Sequence, residues 1–244
     1  MCSIVMQNFS PAWPHGKIQP VFDDVFLVTG SNITQHNGME LQHSRNMIII
    51  RDGNKLSLIN TVRLTDEGLE QLESLGKVKN IIRIGAFHGR DDAFYKQTYN
   101  AKLHVVEGLQ DQHQTPIDVI IKANSELPIT DGALFVFSTS QFPEGIIHLQ
   151  RNNGIIITCD SIKNWIKADE YFSEQSAAMY QEQGFFGKAS ISKIWQQACK
   201  VQASDFKKLL SYNFCHLLSA HGEPLLDTAY QDVQSTIQKE WGLH

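Results

Sequence analysis

Short runs of alternating apolar and polar residues fill the first half of the chain, which is the pattern of β-strands. The segment 21–30 alternates in this way and ends at a turn signal. In the segment 46–60, an apolar run is followed by a turn around Gly53 and then by an alternating run, which predicts a β-hairpin. Further strands are predicted at 80–85, 101–108 and 132–139.

One segment in this half has the spacing of a helix instead. Leu69, Leu72 and Leu75 recur every three residues and form an apolar stripe. Thr65 stands at the position of an N-cap, and Gly76 is a residue type that commonly ends helices. A second helix is predicted directly after the strand at 80–85, in the run RDDAFYKQTY.

The second half contains a hairpin at 144–162, mostly helical segments from about residue 169, a short strand at 215–222 and a last helix at 227–240. Strands that come both in hairpins and in strand–helix–strand units predict mixed sheets in an α/β (α+β) fold. We found no fixed-period repeat and no linker rich in proline or glycine. The expectation is therefore a single domain over 1–244 with a helical C-terminal part.

Composition and charge narrow the classes of partner. The 244 residues are 42% hydrophobic and 19% charged, as in globular proteins, and the net charge is −5 without a lysine or arginine run. We therefore expect a small-molecule ligand, and neither nucleic acid nor a membrane. The N-terminal stretch lacks a secretory signal pattern and the four cysteines are scattered, which favours a cytoplasmic location. The sequence does not indicate an oligomeric state.

Polar residues follow three of the apolar runs. His88 and Asp92 come after the strand at 80–85, Asp160 ends the hairpin, and His221 follows the late strand. Strand ends that meet at one edge of a sheet are where α/β proteins build binding sites. Histidine and aspartate from several segments at such an edge are the pattern of a metal site.

The order of these pieces resembles the metallo-β-lactamase fold superfamily. The pieces are a strand with the turn FHGRDD, a PEG-hairpin-Asp unit that ends at Asp160, and the late run SAHGEP. The run 72–109 also resembles a divergent, uncharacterised branch of that superfamily, in which the HxHxDH motif is degenerate. The resemblance implies a four-layer αββα sandwich of two mixed β-sheets with a metal at one edge.

Some of the superfamily's ligand positions are kept here and others are changed. His88 stands at the first histidine of HxHxDH and Asp92 at its aspartate, while Arg90 replaces the second histidine. Asp160 matches the bridging aspartate and His221 the final histidine. A second alignment of the motif, with His88 on the second histidine and Arg90 on the aspartate, keeps fewer ligands.

The resemblance implies one divalent metal, Zn, Mn or Fe(II), held by His88, Asp92, Asp160 and His221. Such a metal would lower the pKa of its bound water to about 7. The protein would then be a single-metal hydrolase of a small ester, thioester or phosphoester, with Asp160 orienting the water. His148 would lie behind the ligands or in the pocket wall.

Arg90 leaves a different function open. Its guanidinium could pair with Asp92 or Asp160 and fill the space of the metal. The protein would then bind no metal and act as a non-catalytic binding or scaffold protein. Asp160 and Arg90 are thus the candidate catalytic residues, and Arg90 is also the residue that could abolish the site. An iron-dependent oxidoreductase is a third hypothesis with an incomplete ligand set.

Overall fold

A computed structural model describes residues 9–36, 38–110 and 115–242. The strands in these ranges are β1 (Gln19–Phe22), β2 (Val25–His36), β3 (Met39–Asp52), β4 (Lys55–Ile59), β5 (Lys77–Arg83), β6 (Lys102–Val106), β7 (Val119–Ile121), β8 (Gly132–Val136), β9 (Gly145–Leu149), β10 (Ile155–Thr158), β11 (Lys163–Trp165), β12 (Gly187–Ser190) and β13 (His216–Ser219). The helices are α1 (Asp66–Leu75), α2 (Asp92–Tyr99), α3 (Glu174–Glu182), α4 (Lys193–Cys199), α5 (Ala203–Leu209) and α6 (Ala229–Trp241).

Two mixed sheets form the centre of the molecule. The larger sheet has the strand order β1 to β7 and is antiparallel from β1 to β4 and parallel from β4 to β7. The smaller sheet has the order β13-β10-β9-β8, in which β10 and β13 are parallel and the other pairs antiparallel. The sequence-based prediction of two mixed sheets is confirmed.

Two apolar cores separate the layers. The larger core brings together residues of both sheets, such as Ile48 and Ile157, with Leu72 of α1. The second core packs the smaller sheet against the C-terminal helices and contains Ile156, Phe206 and other side chains. Neighbouring residues of β10 thus face opposite cores, as the alternation of a strand requires. Helices lie outside both sheets, which is the αββα arrangement.

The predicted elements differ from the observed ones at several places, two of which bear on the topology. A turn at residues 23–24 divides the predicted strand 21–30 into β1 and β2. The region predicted as helical from residue 169 contains β12, which pairs with β11 in a separate two-stranded sheet. Among the described residues, no helix combines the length and the apolar character needed to cross a membrane.

Candidate functional site

Three of the four predicted metal ligands meet at one edge of the two sheets. Thr158 and Ser219 are paired in the parallel strands β10 and β13, and Asp160 and His221 each follow two residues later. His221 Nε2 lies 3.2 Å from Asp160 Oδ1, and His88 Nε2 lies 3.3 Å from Asp160 Oδ2. The two imidazoles therefore bracket one carboxylate, each at a different oxygen.

Asp92 is directed to other partners. Its Oδ1 accepts a hydrogen bond from the Thr61 hydroxyl at 2.5 Å, and its Oδ2 accepts one from Arg83 Nε at 2.7 Å. Both Asp92 and Arg83 are buried. Its carboxylate is therefore engaged in a buried ion pair at the start of α2, beside the cluster and not within it. Its predicted role as a ligand stays a prediction.

Arg90 does not form the predicted pair with Asp92 or Asp160 among the described residues. Its Nε donates to Asp91 Oδ1 at 3.4 Å, and its Nη1 donates to the Ile33 carbonyl oxygen at 3.3 Å. Its guanidinium also lies over the ring of Trp13, 4.2 Å from the centroid. The Arg90 head group is thus engaged with Asp91, Ile33 and Trp13.

His148 is also remote from the cluster. It lies on β9, where it pairs with Ile156 of β10, and its Nε2 donates to the Asn213 carbonyl oxygen at 2.8 Å. Its ring contacts Tyr212, with the centroids 5.4 Å apart. His148 is not among the described residues that line the cavity at Asp160. The structure gives it partners near Asn213 instead of the predicted position behind the ligands.

A different arginine, Arg45 of β3, contacts the predicted ligand His88. Its side chain is buried, and its Nη2 donates to His88 Nδ1 at 2.6 Å. Its Nη1 donates to Asn32 Oδ1 at 3.1 Å, while its buried Nε has no hydrogen-bond partner. The guanidinium is therefore held by two neutral groups. None of its hydrogen bonds among the described residues is to a carboxylate.

The arginine contact fixes the position of a proton on His88. A guanidinium can only donate hydrogen bonds, so Nδ1 of His88 must carry the lone pair. The proton of the neutral ring then lies on Nε2, where it points to Asp160 Oδ2. Burial, reinforced by Arg45, lowers the pKa of His88 to about 3, so the ring is neutral near pH 7.

A single carbonyl group orients two further histidines. The Ser44 oxygen accepts from Nδ1 of His43 at 3.2 Å and from Nδ1 of His221 at 3.1 Å. Both rings therefore carry a proton on Nδ1 and a lone pair on Nε2. In His43 that lone pair accepts from Asn32 Nδ2 at 2.9 Å, and burial lowers the pKa of His43 to about 3. In His221 the lone pair faces Asp160 Oδ1, so a proton or a cation would fit between the two atoms.

Glu144 fixes the loop that carries Asp160. Its Oε1 accepts from the backbone N–H of Ser161 at 2.7 Å, and its Oε2 accepts from Trp195 Nε1 at 3.0 Å. Burial and the nearby Asp160 raise the pKa of Glu144 to about 8. Both oxygens of Glu144 are engaged by N–H donors, and Glu144 is not among the described residues that line the cavity at Asp160.

The donor set does not fit a divalent metal in this arrangement. Potential ligand atoms of His88, Cys159 and Asp160 lie within 4.8 Å of one another. Burial raises the pKa of the Cys159 thiol well above its usual value, which disfavours the thiolate that binds metals. His88 presents a proton to Asp160, and the adjacent Arg45 guanidinium would repel a cation. Only His221 has the orientation of a metal-bound histidine, with its other ring N–H donated to a carbonyl.

The cluster lies in a cavity of about 920 Å³. Four cationic side chains line it, whereas Asp160 is the one carboxylate among the described lining residues. Arg83 and Arg90 have their own carboxylates in Asp92 and Asp91, as described above. Lys163 is buried, with its Nζ 4.8 Å from the Phe185 ring centroid. Burial lowers the pKa of Lys163, whereas a guanidinium stays charged, so Arg45 is a permanent cation in this cavity without a carboxylate partner among the described residues.

The sequence analysis missed Arg45, His43 and Lys163. A signal for the first two is present in the chain, because His43 and Arg45 are two residues apart and therefore share one face of β3. Both interrupt the apolar character of a strand whose residues 43–50 are all buried. Charged residues rarely occupy such positions without a function or a partner. Lys163 is on β11, whose pairing with β12 the sequence did not reveal.

Comparisons with known proteins identify the fold. No protein-family model matches the sequence, and the search of curated proteins also found no match. Solved structures do match, among them the DIM-1 metallo-β-lactamase, with a TM-score of 0.62, 12% identity, and coverage of 93% of this chain and 100% of that chain. FIM-1 from Pseudomonas aeruginosa, in its mono-zinc form, matches with a TM-score of 0.57 and 11% identity over 94% and 98% of the two chains.

A metallo-β-lactamase from Pontibacter korlensis is similar to the same degree, with a TM-score of 0.57, 12% identity, and coverage of 91% and 98%. The chain therefore has the metallo-β-lactamase fold, as its sequence motifs predicted. Identities this low show the fold and leave the chemistry to be argued from the site.

Proposed function

We propose that this protein binds a small anion in the cavity around Arg45, as a non-catalytic binding domain on the metallo-β-lactamase fold. The observation that supports it is the contact of 2.6 Å between Arg45 Nη2 and His88 Nδ1. This contact puts a permanent positive charge beside the predicted metal ligands. The proposal keeps the second function that the sequence left open and assigns the guanidinium to Arg45 instead of Arg90.

The energetics of buried charge favour an anionic ligand. An ion that is removed from water without a partner of opposite charge costs several kcal/mol. Arg45 is 4% exposed and makes no ion pair among the described residues, whereas the buried Lys163 lies near Asp160 and Glu144 and its pKa is lowered by burial. A bound anion would compensate the charge of Arg45 and would complete its hydrogen bonding, because its Nε is free. A carboxylate or a phosphate has the geometry to accept from a guanidinium.

The test is titration calorimetry of the wild-type protein with acetate, succinate and inorganic phosphate. We expect saturable binding of at least one of these anions, and a matching rise in stability of about 2.7 kcal/mol at a hundredfold excess over Kd. Arg45→Gln should abolish both effects. Arg51→Gln is the control, because Arg51 lies on the same strand but pairs with Asp24 at the surface. If no anion binds, or if Arg45→Gln binds as the wild type does, the proposal is wrong.

A second candidate is the single-metal hydrolase of a small ester, thioester or phosphoester. The orientation of His221 favours it, because the ring donates Nδ1–H to Ser44 and directs its Nε2 lone pair at Asp160 Oδ1. This function requires that Arg45 leave His88, so that His88 can offer a lone pair to the metal. Hydrolysis that is lost on chelation and in Asp160→Ala, but retained in Arg45→Gln, would support the hydrolase over the anion-binding domain.

A further inference from the structure

The mouth of the cavity, meaning its exposed lining residues and not its charged floor, contains three large apolar side chains beside the polar Gln35, His36, Gln110 and Gln183. Met39, Phe87 and Ile194 line the cavity and are 42%, 55% and 46% exposed. They come from three separate segments, namely the start of β3, the loop after β5 and helix α4. Phe87 also contacts Phe142, which is 40% exposed, with the ring centroids 5.6 Å apart. Large exposed apolar side chains gathered around one opening are typical of a binding site.

The walls between the mouth and the floor are aromatic. Trp165, Tyr180 and Phe185 line this part. Trp165 stacks on His221 with the centroids 4.7 Å apart, and Tyr180 contacts Phe185 at 4.6 Å. The apolar lining therefore continues from the surface down to the cluster at Asp160. The side chain of Lys163 reaches across the Phe185 ring at the lower end of this wall.

The size of the cavity also exceeds the needs of a simple oxyanion. A volume of about 920 Å³ is at the upper end of the range of roughly 300–1,000 Å³ that holds drug-sized ligands. Acetate or phosphate would contact the floor alone and would leave the aromatic walls and the three apolar side chains of the mouth in water. A ligand that used the whole cavity would have an apolar part several carbon atoms long.

We propose that the ligand is an amphipathic anion, with a carboxylate or phosphate head group at Arg45 and an apolar chain that extends between Trp165 and the mouth at Met39, Phe87 and Ile194. This inference rests on the proposed anion-binding function and adds the class of the ligand. The head group would accept from the guanidinium, and the chain would cover side chains that are now exposed. Each methylene that is removed from water would strengthen binding by up to about fourfold.

The experiment is a calorimetric series of acetate, hexanoate and decanoate with the full chain, below the concentrations at which these form micelles. Decyl phosphate and decanol complete the series. We expect affinity to rise steeply from acetate to decanoate, and we expect decanol to bind at least tenfold more weakly than decanoate. The comparison of decanoate with decyl phosphate identifies the head group that Arg45 prefers.

Variants separate the head-group site from the chain site. Phe87→Ser and Met39→Ser should reduce the gain from hexanoate to decanoate while acetate binding stays unchanged, and Arg45→Gln should weaken every anion. Ile120→Ser is the matched control, because Ile120 is 59% exposed on β7 and is not among the described lining residues. Circular dichroism and thermal melting check that each variant is folded.

The outcomes distinguish this inference from the function on which it rests. If acetate and decanoate bind equally and Arg45→Gln abolishes both, the anion-binding function stands and the inference about the chain is wrong. If decanol binds as tightly as decanoate, the head group contributes nothing and the inference is also wrong. If no member of the series binds, the proposed function fails together with the inference.

Discussion

Arg45 determines the chemistry of its neighbours because a guanidinium stays protonated at any physiological pH and cannot accept a hydrogen bond. Its contact with His88 therefore fixes one tautomer of that ring, and the proton on Nε2 then makes Asp160 an acceptor. The neutral rings of His43 and His221 are fixed in the opposite tautomer by the Ser44 carbonyl. A single side chain thus removes a lone pair that a metal would need from His88, as the proposed anion-binding function requires.

Replacement of Arg45 by methionine tests this account at the level of one residue. Because an unpaired buried charge is costly, we expect the free energy of unfolding of Arg45→Met to be unchanged or raised, by up to about 4 kcal/mol. Stabilisation by added anions should disappear at the same time. Denaturant unfolding with and without acetate measures both quantities. A loss of several kcal/mol in Arg45→Met would mean that Arg45 has a structural role instead.

The buried imidazole of His43 predicts a dependence of stability on pH. Its pKa is about 3 in the folded state and 6.5 in the unfolded chain, so the unfolded chain binds the proton first as the pH falls. The contribution of this neutral ring to stability is therefore complete above about pH 6.5 and is lost progressively as the pH falls towards about 3. At about pH 5 the loss is on the order of 2 kcal/mol.

His43→Gln should remove this contribution. The difference in unfolding free energy between wild type and variant should therefore change by about 2 kcal/mol between about pH 7.5 and pH 5. Glutamine can still donate to Ser44 and accept from Asn32. Denaturant titrations at the two pH values provide the measurement. Equal pH dependence in the two proteins would show that folding does not lower the pKa of His43.

At the scale of elements, the sequence correctly predicted those helices and turns whose signals lie in neighbouring residues. Thr65 caps α1 as expected, since its Oγ1 accepts from the Gly68 N–H at 3.3 Å, and Gly76 ends that helix. The hairpin around Gly53 was also predicted, because the turn residues and the alternation lie within one short segment. Strands β11 and β12 were not predicted, because each is very short and pairs with residues 22 to 27 positions away in the chain.

The same distinction applies to the site. His88, Asp160 and His221 were found because each follows a recognisable strand, where functional residues collect. Arg45 lies inside a strand, and its role depends on contact with His88, 43 residues further along the chain. The position of the Asp92 carboxylate depends likewise on its hydrogen bonds with Thr61 and Arg83. Pairings between distant segments follow from the packing of the two sheets and are not encoded in a local motif.

The ion pair between Arg83 of β5 and Asp92 of α2 gives a prediction at this scale. Asp92→Ala would remove the carboxylate that accepts from the buried Arg83 Nε at 2.7 Å, and breaking a buried ion pair typically costs about 3–5 kcal/mol. Anion binding to the folded protein should persist, because Asp92 does not contact Arg45. Denaturant unfolding and calorimetry check the two parts of the prediction.

Glu107→Ala is the control for this variant. Glu107 pairs with Lys122 at 2.7 Å, but both side chains are more than half exposed, so its loss should change stability by less than about 1 kcal/mol. If Asp92→Ala costs no more than Glu107→Ala, Asp92 does not stabilise the junction of β5 and α2.

At the scale of the whole molecule, the fold supplies a rigid edge at which several chain segments meet. The parallel pair β10 and β13 delivers Asp160 and His221, the larger sheet delivers Arg45, and the loop after β5 delivers His88. Two further segments, α3 and α4, contribute the apolar walls and mouth. The same framework could hold a metal or an anion, and the side chains at the edge decide which one it binds.

Metal content measured on purified wild-type protein and on Arg45→Ala is the most direct test of this choice. Both proteins are equilibrated with Zn, with Mn and, under anaerobic conditions, with Fe(II), and bound metal is then determined by elemental analysis. The account predicts no stoichiometric metal in the wild type and a gain of metal in Arg45→Ala, where His88 is free to offer its Nε2 lone pair. One equivalent of metal in the wild type, lost in Asp160→Ala and His221→Ala, would contradict it.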